Sequence, residues 1–338
     1  MDIDVERQHA SRLALLDALL PADPPLSGSM IATVGALGLP TFQEVAPESL
    51  DATWAPLRRH GLSVRLAGAD LGPLLDLWES HLARAAVPGD LDCAAHITWP
   101  SRDTAAVPAL VHHGFAPLIV TAVRRAGVFG PTTTFVPSPA RASTQAPTTA
   151  PSGHPNPGSS APAGHSAAAP SAPPLPGFTI RVATKADLAA CVALNLDVVR
   201  YDSQFGVITE RPSTEAGLRQ NTAEMLERDR PCVWLAEVAG RPAGIVTVDL
   251  PPHSDWIAGR TSAGPVAYLG LGGVRADLRG SGVGSALVNH VHRELDAAGI
   301  AVTLLHYALP NPRSAPFWST QGYRPLWTSW YRRPALRD

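Results

Sequence analysis

Residues 279–287 read RGSGVGSAL, and this stretch decides the fold. It lies between an apolar segment, VAYLGLGGV (266–274), and the sequence VNHVHREL (288–295). Apolar residues recur there every four positions, which predicts an amphipathic helix with one face on a core: Val283, Leu287, Val291 and Leu295. Backbone N–H groups and the helix dipole make such a helix start suitable for an anion. The stretch predicts a strand, an anion-binding loop and a helix.

Spacing separates three phosphate-binding patterns that this loop resembles. The dinucleotide pattern G-x-G-x-x-G fails, because Ser285 stands where the third glycine belongs. A Walker loop needs a lysine, and the only lysine in the chain is Lys185. The remaining pattern, R-G-x-G-x-G at a helix start, suits a pyrophosphate, with Arg279 adding a charge-assisted contact. A tight turn without a ligand is the alternative.

Strands and helices alternate around this loop. FTIRVA (178–183) predicts a strand, and Thr184 with Asp187 resembles a capping box that opens a helix through residue 200. Further on, the patterns predict a helix at 213–229 and a hairpin at 232–250. After the loop and its helix they predict a strand at 301–307, a short helix at 312–321 and a final extended segment at 323–333. This order predicts a mixed α/β fold, with a sheet covered by helices on its faces.

Composition excludes several classes of function. The chain has 338 residues, a net charge of −2 and 45% hydrophobic residues, which is typical of a globular cytoplasmic protein without a nucleic-acid partner. Its three cysteines, Cys93, Cys191 and Cys232, show no metal or disulfide spacing. We therefore expect no metal. No run of about 18 apolar residues occurs, so we expect no membrane partner.

A segment rich in Pro, Ala, Ser and Thr divides the chain. Residues 131–176 have almost no charged or large apolar side chains, so they cannot bury enough surface to offset the entropy lost on ordering. We predict a disordered linker there, with one domain at 1–130 and another at 177–338. The linker histidines His154 and His165 lack further ligand residues beside them, so we do not assign them to a metal.

Two motifs in the right order carry a family resemblance. The signature R/Q-x-x-G-x-G/A is met by Arg279, Gly282 and Gly284, and Val274 lies five residues before the arginine. A second pattern is met by Asn311, Ser314, Phe317, Gly322 and Tyr323. On these motifs residues 177–338 resemble the GNAT superfamily of acyl-CoA-dependent N-acetyltransferases. The resemblance implies a central, mostly antiparallel sheet with a splayed strand pair, and acetyl-CoA as co-substrate.

The resemblance also implies which residues bind the cofactor. The backbone of Gly272, Gly273 and Val274 would pair with the pantetheine arm, and Asn311 would lie near it. The pyrophosphate would be held by the loop and first helical turn: Arg279, Gly280, Ser281, Gly282, Val283, Gly284 and Ser285. Glycines at 270, 272 and 273 suit a bulged, splayed strand.

The resemblance does not single out one residue as the catalytic acid. Many relatives carry a tyrosine that protonates the CoA thiolate, whereas this chain has Trp318, whose indole N–H does not release its proton near neutral pH. Tyr268, Tyr307 and Tyr323 are the candidate acids, with core packing as the alternative for each. A polar loop that contains His253 and Asp255 is a further candidate, which would contact the acceptor amine.

The first half resembles the second. At an offset of 210, Val64 and Arg65 align with Val274 and Arg275, and His96 aligns with His306. At an offset of 208, Gly114 and Phe115 align with Gly322 and Tyr323, and the pair 124–125 aligns with the Arg-Arg pair 332–333. We predict a tandem arrangement with a degenerate N-terminal copy. Only about 60 residues precede the loop of the N-terminal copy, so we expect this copy to lack the first strand and helix.

The copies differ at the loop. Opposite Arg279, Gly280, Val283 and Gly284 stand Ala69, Asp70, Pro73 and Leu74, which remove a cation, add an anion and delete an N–H donor. Features that both copies keep, such as His306 and the Arg-Arg pair, are assigned to the fold. The chemistry is therefore predicted to lie in the second copy.

These observations lead to one principal hypothesis. We expect an N-acetyltransferase that moves an acetyl or short acyl group from acyl-CoA to a primary amine by direct attack, with a small molecule or a protein as acceptor. The alternatives are a non-catalytic acyl-CoA-binding or regulatory module, and a scaffold that binds proteins through Trp327 and Trp330. Both a homodimer and a pseudo-dimer in cis between the halves agree with the sequence.

Overall fold

The computed structural model describes residues 2–68, 70–129, 177–206 and 208–336. The predicted linker at 131–176 lies outside the described residues. The α-helices within these ranges are α1 (Asp2–Leu16), α2 (Asp51–Trp54), α3 (Gly72–Ala85), α4 (Val107–His112), α5 (Leu188–Asp202), α6 (Thr214–Leu226), α7 (Asp255–Ala258), α8 (Val283–Ala297) and α9 (Ser314–Thr320). In the described part of the chain, no helix is both long and apolar enough to cross a membrane.

The strands of the described residues form one sheet. In chain order they are β1 (Ile31–Thr33), β2 (Ala36–Glu44), β3 (Arg58–Leu66), β4 (Cys93–Pro100), β5 (Ala116–Arg125), β6 (Thr179–Val182), β7 (Val233–Val238), β8 (Arg241–Asp249), β9 (Val266–Val274), β10 (Val302–Ala308) and β11 (Arg324–Arg332). Across the sheet their order is β1-β2-β3-β4-β11-β5-β10-β9-β8-β7-β6. Only the pairs β3–β4 and β9–β10 are parallel, which confirms the predicted mixed, mostly antiparallel sheet.

Helices cover both faces of the C-terminal part of the sheet. On β8, Val246 and Val248 point into a core with Leu287 and Val291 of α8. The neighbouring Ile245 points the other way, into a core with residues of α5 and α6. Because successive side chains of a strand point to opposite faces, these cores lie on opposite sides of the sheet. The predicted capping box of Thr184 and Asp187 is present before α5.

The two halves exchange their last strands. Strand β5 follows α4 in the first half but pairs with β10 and β11 of the second half. Strand β11 follows α9 in the second half but pairs with β4 of the first half. Each half therefore completes the sheet of the other, and this mutual exchange joins them in one sheet.

The element order of the two halves confirms the tandem arrangement. Strand β3, helix α3, strand β4, helix α4 and strand β5 correspond to β9, α8, β10, α9 and β11 in the second half. In the first half β3 and β4 are parallel and are joined by α3, and in the second half β9 and β10 are parallel and are joined by α8. One expectation is wrong: a helix does precede this unit in the first half, since α1 contacts β3 as α5 contacts β9.

A buried arginine anchors each exchanged strand. Arg124 on β5 donates two hydrogen bonds to Asp296 on α8, each 2.9 Å long, and its side chain is 1% exposed. Arg332 on β11 pairs in the same manner with Glu79 on α3. These contacts give the first arginine of each Arg-Arg pair a structural role.

We predict that Arg124→Met lowers the free energy of unfolding by about 3 kcal/mol, because it leaves the Asp296 carboxylate without its counterion in a partly buried site. Urea unfolding measures the loss. Lys185→Ala is the matched control, since it removes a solvent-exposed ion pair with Glu227 and is expected to change the stability much less than Arg124→Met does. Equal losses in the two variants would contradict the anchoring role of Arg124.

Candidate functional site

Strands β9 and β10 part halfway along their length. Their pairing runs from Val266–Val302 to Leu269–Leu305 and then stops. Beyond that point β9 stays paired with β8, through an irregularity between Val246 and Val248. Strand β10 instead follows β5 along all seven of its residues. The separation leaves one edge of residues 270–274 unpaired by any described strand, as predicted for a splayed pair.

The open edge of β9 presents backbone donors. Leu271 N–H donates to Thr247 Oγ1 at 2.8 Å, and Arg275 N–H donates to Ala243 O at 2.9 Å, both on the β8 side. Successive N–H groups of a strand point to opposite edges. The N–H groups of Gly272 and Val274 therefore point into the gap between β9 and β10.

The glycine loop supplies a second set of donors, at the start of α8. Gly280 has φ +78° and Gly282 has φ +90°, a left-handed conformation that residues with a Cβ rarely adopt. The first hydrogen bond of the helix joins Ala286 N–H to Gly282 O at 3.0 Å. The N–H groups of Val283, Gly284 and Ser285 thus have no acceptor within the helix and can bind an anion.

The gap and the loop open into one cavity of about 790 Å³. Of the eleven residues predicted to bind the cofactor, nine line it: Gly272, Gly273, Val274, Arg279, Gly280, Gly282, Gly284, Ser285 and Asn311. Two do not. The side chain of Val283 is fully buried in the core under α8, and the Ser281 hydroxyl donates to Leu278 O.

Two cations stand at the loop. The guanidinium groups of Arg279 and Arg313 lie 4.7 Å and 5.3 Å from the ring centre of Tyr201. Neither forms an ion pair with a carboxylate of the described residues, whereas nearby Arg275 pairs with Asp277 at 2.6 Å. Arg279 and Arg313 therefore place positive charge that no direct ion pair neutralises beside the free N–H groups of α8.

One wall of the cavity was not predicted from the sequence. Its residues lie on a single face of α5, at the spacing of successive helical turns: Leu194, Asp197, Val198, Tyr201 and Asp202. The helix lies so close to β9 that a Cβ on Gly273 would overlap Val198 Cγ2. No sequence motif marks this face, because its position depends on packing between distant elements.

Trp318 forms part of the cavity wall beneath β9. Its side chain is 8% exposed, and ring atom Cη2 lies 3.3 Å from where a Cβ on Gly272 would stand. The ring also meets Tyr323 edge to face, with 5.4 Å between ring centres. The indole therefore packs between the strand and the core.

None of the three candidate acids lines this cavity in the described structure. The Tyr323 hydroxyl lies 3.1 Å from His292 Nε2, and burial raises its pKa. The Tyr268 hydroxyl lies 3.1 Å from His306 Nδ1 on the opposite face, and burial raises its pKa as well. Burial also lowers the pKa of His306 to about 4, which makes it a neutral partner of Tyr268 at pH 7.

Tyr307 differs from the other two tyrosines in its position. It lies past the last β9–β10 pair, and it packs against the core that contains Trp318 and α8. No described residue forms a hydrogen bond with its hydroxyl. Burial raises its pKa, so the hydroxyl keeps its proton at neutral pH.

The polar loop lies elsewhere. His253 lines a separate cavity of about 270 Å³ with Arg228 and Cys232, and Asp255 begins α7. Neither lines the large cavity. Across the described residues, no group of three or more His, Cys, Asp or Glu side chains is arranged to hold a metal ion.

In the equivalent loop of the first half, a carboxylate of the loop itself accepts a hydrogen bond from the backbone at the start of the helix. At the start of α3, Asp70 Oδ1 accepts a hydrogen bond from Gly72 N–H at 2.9 Å. Pro73 follows in the first helical turn, where it has no N–H to donate. The carboxylate therefore occupies the site that an anion would use, and repels a phosphate.

Comparison with known proteins shows which family and which solved structures the chain resembles. No curated protein matches the chain. Among solved structures, a GCN5-related N-acetyltransferase from Sphaerobacter thermophilus is 16% identical, with 90% of this chain and 79% of that chain covered and a TM-score of 0.49. A tandem GNAT protein from the clavulanic acid biosynthesis pathway is 16% identical, with 84% and 77% covered and a TM-score of 0.42.

A third similar structure contains the cofactor. An aminoglycoside N-acetyltransferase in complex with CoA is 18% identical, with 46% of this chain and 93% of that chain covered and a TM-score of 0.38. The model of the Acetyltransferase (GNAT) family matches residues 201–323, a little over a third of the chain. Residues 201–323 therefore resemble GNAT acetyltransferases, and this match supports acetyl transfer as the general activity.

Proposed function

We propose that the chain is an N-acetyltransferase, which transfers an acetyl or short acyl group from acyl-CoA to a primary amine in the large cavity. The observation that carries this proposal is the meeting of two donor sets in one cavity, the open edge of β9 and the start of α8. The acceptor is a small molecule or a protein amine.

The fit of the cavity to CoA rests on its charges and donors. The free N–H groups of Val283, Gly284 and Ser285, with Arg279 and Arg313, suit a pyrophosphate and a further phosphate. The open edge of Gly272–Val274 suits the amides of a pantetheine arm, which would add to the sheet like a short strand. Asn311, in the segment that follows β10, lines the same cavity.

Direct attack by the amine agrees with this arrangement. The N–H groups that point into the gap from Gly272 and Val274 would bind the thioester oxygen as it becomes negative. Binding both reactants in one cavity would bring the nitrogen close to the carbonyl carbon, which removes much of the entropic barrier.

We assign the first half, 1–130, a supporting role in the same reaction. Its strand β5 pairs with β10 along the full length of that strand and so forms one side of the gap. The halves, 1–130 and 177–338, would act as a pseudo-dimer in cis, with one active loop. The loop of the first half, with Asp70 on its helix start, would bind no CoA.

Tyr307 is our proposal for the acid that protonates the CoA thiolate. It stands on the α8 side of the sheet, beyond the point where β9 and β10 part. Tyr268 and Tyr323 are less suited, because their hydroxyls are engaged with His306 and His292.

Incubation with acetyl-CoA and a panel of amines tests the function. We expect CoA release with at least one of kanamycin, spermidine, lysine and a lysine-containing peptide, measured with a thiol reagent. Cys93, Cys191 and Cys232 are buried, so the folded protein adds little background. At 100 times its Kd, acetyl-CoA should stabilise the fold by about 2.7 kcal/mol. Stabilisation by acetyl-CoA without CoA release would favour a non-catalytic binding module. If acetyl-CoA causes neither stabilisation nor CoA release, both the enzyme and the binding module are contradicted.

Gly280→Ala tests the position of the pyrophosphate. Gly280 and Gly299 share φ +78°, and a Cβ at either position meets nothing within 4 Å, but only Gly280 lines the cavity. We expect each alanine variant to lose about 1 kcal/mol of stability because of the left-handed backbone. Only Gly280→Ala should weaken CoA binding, by about tenfold in calorimetry. Equal affinities in the two variants would remove the loop from the site.

Tyr307→Phe tests the acid. We expect kcat to fall roughly 100-fold with little change in acetyl-CoA affinity, because the variant loses a proton donor and keeps the ring. Tyr268→Phe and Tyr323→Phe are the controls and should change kcat less than tenfold. If Tyr307→Phe turns over like the wild type, the thiolate takes its proton from solvent.

A further inference from the structure

Asp202 brings a carboxylate into the cavity from the α5 wall. It is the last residue of α5 and follows Val198, which packs on Gly273, by one helical turn. Its Oδ1 accepts a hydrogen bond of 2.8 Å from Asn311 Nδ2, in the segment that follows β10. The end of α5 therefore reaches from β9 to the end of β10, across the mouth of the gap.

The fold gives this carboxylate no stabilising role in the helix. Asp202 precedes a short turn at Ser203–Phe205 but makes no capping hydrogen bond to it. A negative charge at the last residue of a helix faces the negative end of the dipole, which is unfavourable. Burial raises its pKa, although Asn311 and the positive charge of Arg279 lower it in part.

Asn311 holds the carboxylate in a defined orientation. Arg313 N–H donates to Asn311 Oδ1 at 2.9 Å, so the amide must direct its NH₂ group toward Asp202. Asn311 itself is 3% exposed. No described residue donates to Asp202 Oδ2 or forms an ion pair with the carboxylate. The Oδ2 atom is therefore available to a ligand in the cavity.

Functional sites often contain a carboxylate that opposes local helix preferences, is positioned by a buried amide and forms no direct ion pair. Its partner would be a cation, and the acceptor of the proposed reaction is an amine that is protonated in water. Arg279 lies near enough to lower the pKa of Asp202 but forms no ion pair with it, and both Arg279 and Arg313 pack on Tyr201.

We propose that Asp202 binds the ammonium group of the acceptor and accepts the proton that frees its nitrogen for attack. This inference rests on the proposed acetyl transfer, and it names the residue that selects a cationic acceptor. Asp197, the second carboxylate of the α5 wall, is exposed and is assigned no such role.

The step balances in atoms and charge. One N–H proton passes from the ammonium to the Asp202 carboxylate, and the lone pair forms the N–C bond to the thioester carbon. The C–S bond then breaks, and its electron pair leaves on sulfur. The nitrogen loses a second proton, which matches the proton that the thiolate takes up from Tyr307 or solvent. Asp202 finally returns its proton to water.

Asp202→Asn is the test, because the amide oxygen still accepts the hydrogen bond from Asn311 while charge and basicity are lost. Asp197→Asn is the matched control on the same helix face. With the amine of the panel that is turned over fastest, we expect Asp202→Asn to lower kcat/KM about 100-fold or more. Its acetyl-CoA affinity in calorimetry should stay within about threefold of wild type. Asp197 also lines the cavity but its side chain is exposed, so Asp197→Asn should lower kcat/KM less than about tenfold.

The pH profile separates chemistry from a structural effect. In the wild type, kcat/KM should fall as the pH drops through the raised pKa of Asp202, because the protonated carboxyl neither binds the ammonium nor accepts its proton. This acid limb should be absent in Asp202→Asn and present in Asp197→Asn. Titration of spermidine into the CoA complex provides a readout without turnover, and Asp202→Asn should weaken it at least tenfold.

Three results would overturn the proposal. One is equal kcat/KM in the two asparagine variants, and another is loss of acetyl-CoA binding in Asp202→Asn, which would make Asp202 part of the cofactor site. The third is unchanged spermidine binding in that variant. Wild-type protein that binds acetyl-CoA but turns over no amine would instead contradict the acetyl transfer on which the proposal rests.

Discussion

The pairing of β5 with β10 is the constraint on which the rest of the structure depends. All seven residues of β10 pair with β5, from Val302–Arg125 to Ala308–Ile119, whereas only four pair with β9. Strand β10 therefore follows its partner from the other half and leaves β9 at Leu269. Without that partner, the end of β10 would have no hydrogen-bonded neighbour on either edge. The gap that opens the cavity thus lies between β9 and a strand that stays paired with the other half along its full length.

This constraint explains why a half with a degenerate loop would be retained. Its loop has Asp70 on the helix start and Pro73 in the first turn, so the N-terminal copy has lost the features that bind an anion. Its strands β4 and β5 still enclose β11 in the sheet, and Arg124 still anchors β5 to α8 through Asp296. What both copies keep serves the shared sheet, and what only the second copy keeps lines the cavity.

Local patterns were sufficient to predict the loop and the elements around it. The alternating glycines at 280, 282 and 284 and the four-residue apolar spacing of α8 act within a few residues, so their structure follows from sequence alone. The exchange of β5 and β11 could not be predicted, because it depends on pairing between strands about 200 positions apart. The same limit applies to the α5 wall, whose position depends on the missing Cβ of Gly273. The two carboxylates of the cavity, Asp197 and Asp202, belong to α5, which is distant in sequence from the loop, so no local pattern predicts them there.

A crystal structure of the protein with CoA bound tests whether the gap between β9 and β10 and the start of α8 together form the cofactor site. We expect a pyrophosphate within hydrogen-bond distance of the N–H groups of Val283, Gly284 and Ser285. We also expect a pantetheine arm along the open edge of Gly272 and Val274, and no second CoA at α3. A pyrophosphate bound at the start of α3, or a cofactor outside the gap between β9 and β10, would contradict this assignment of the cofactor site.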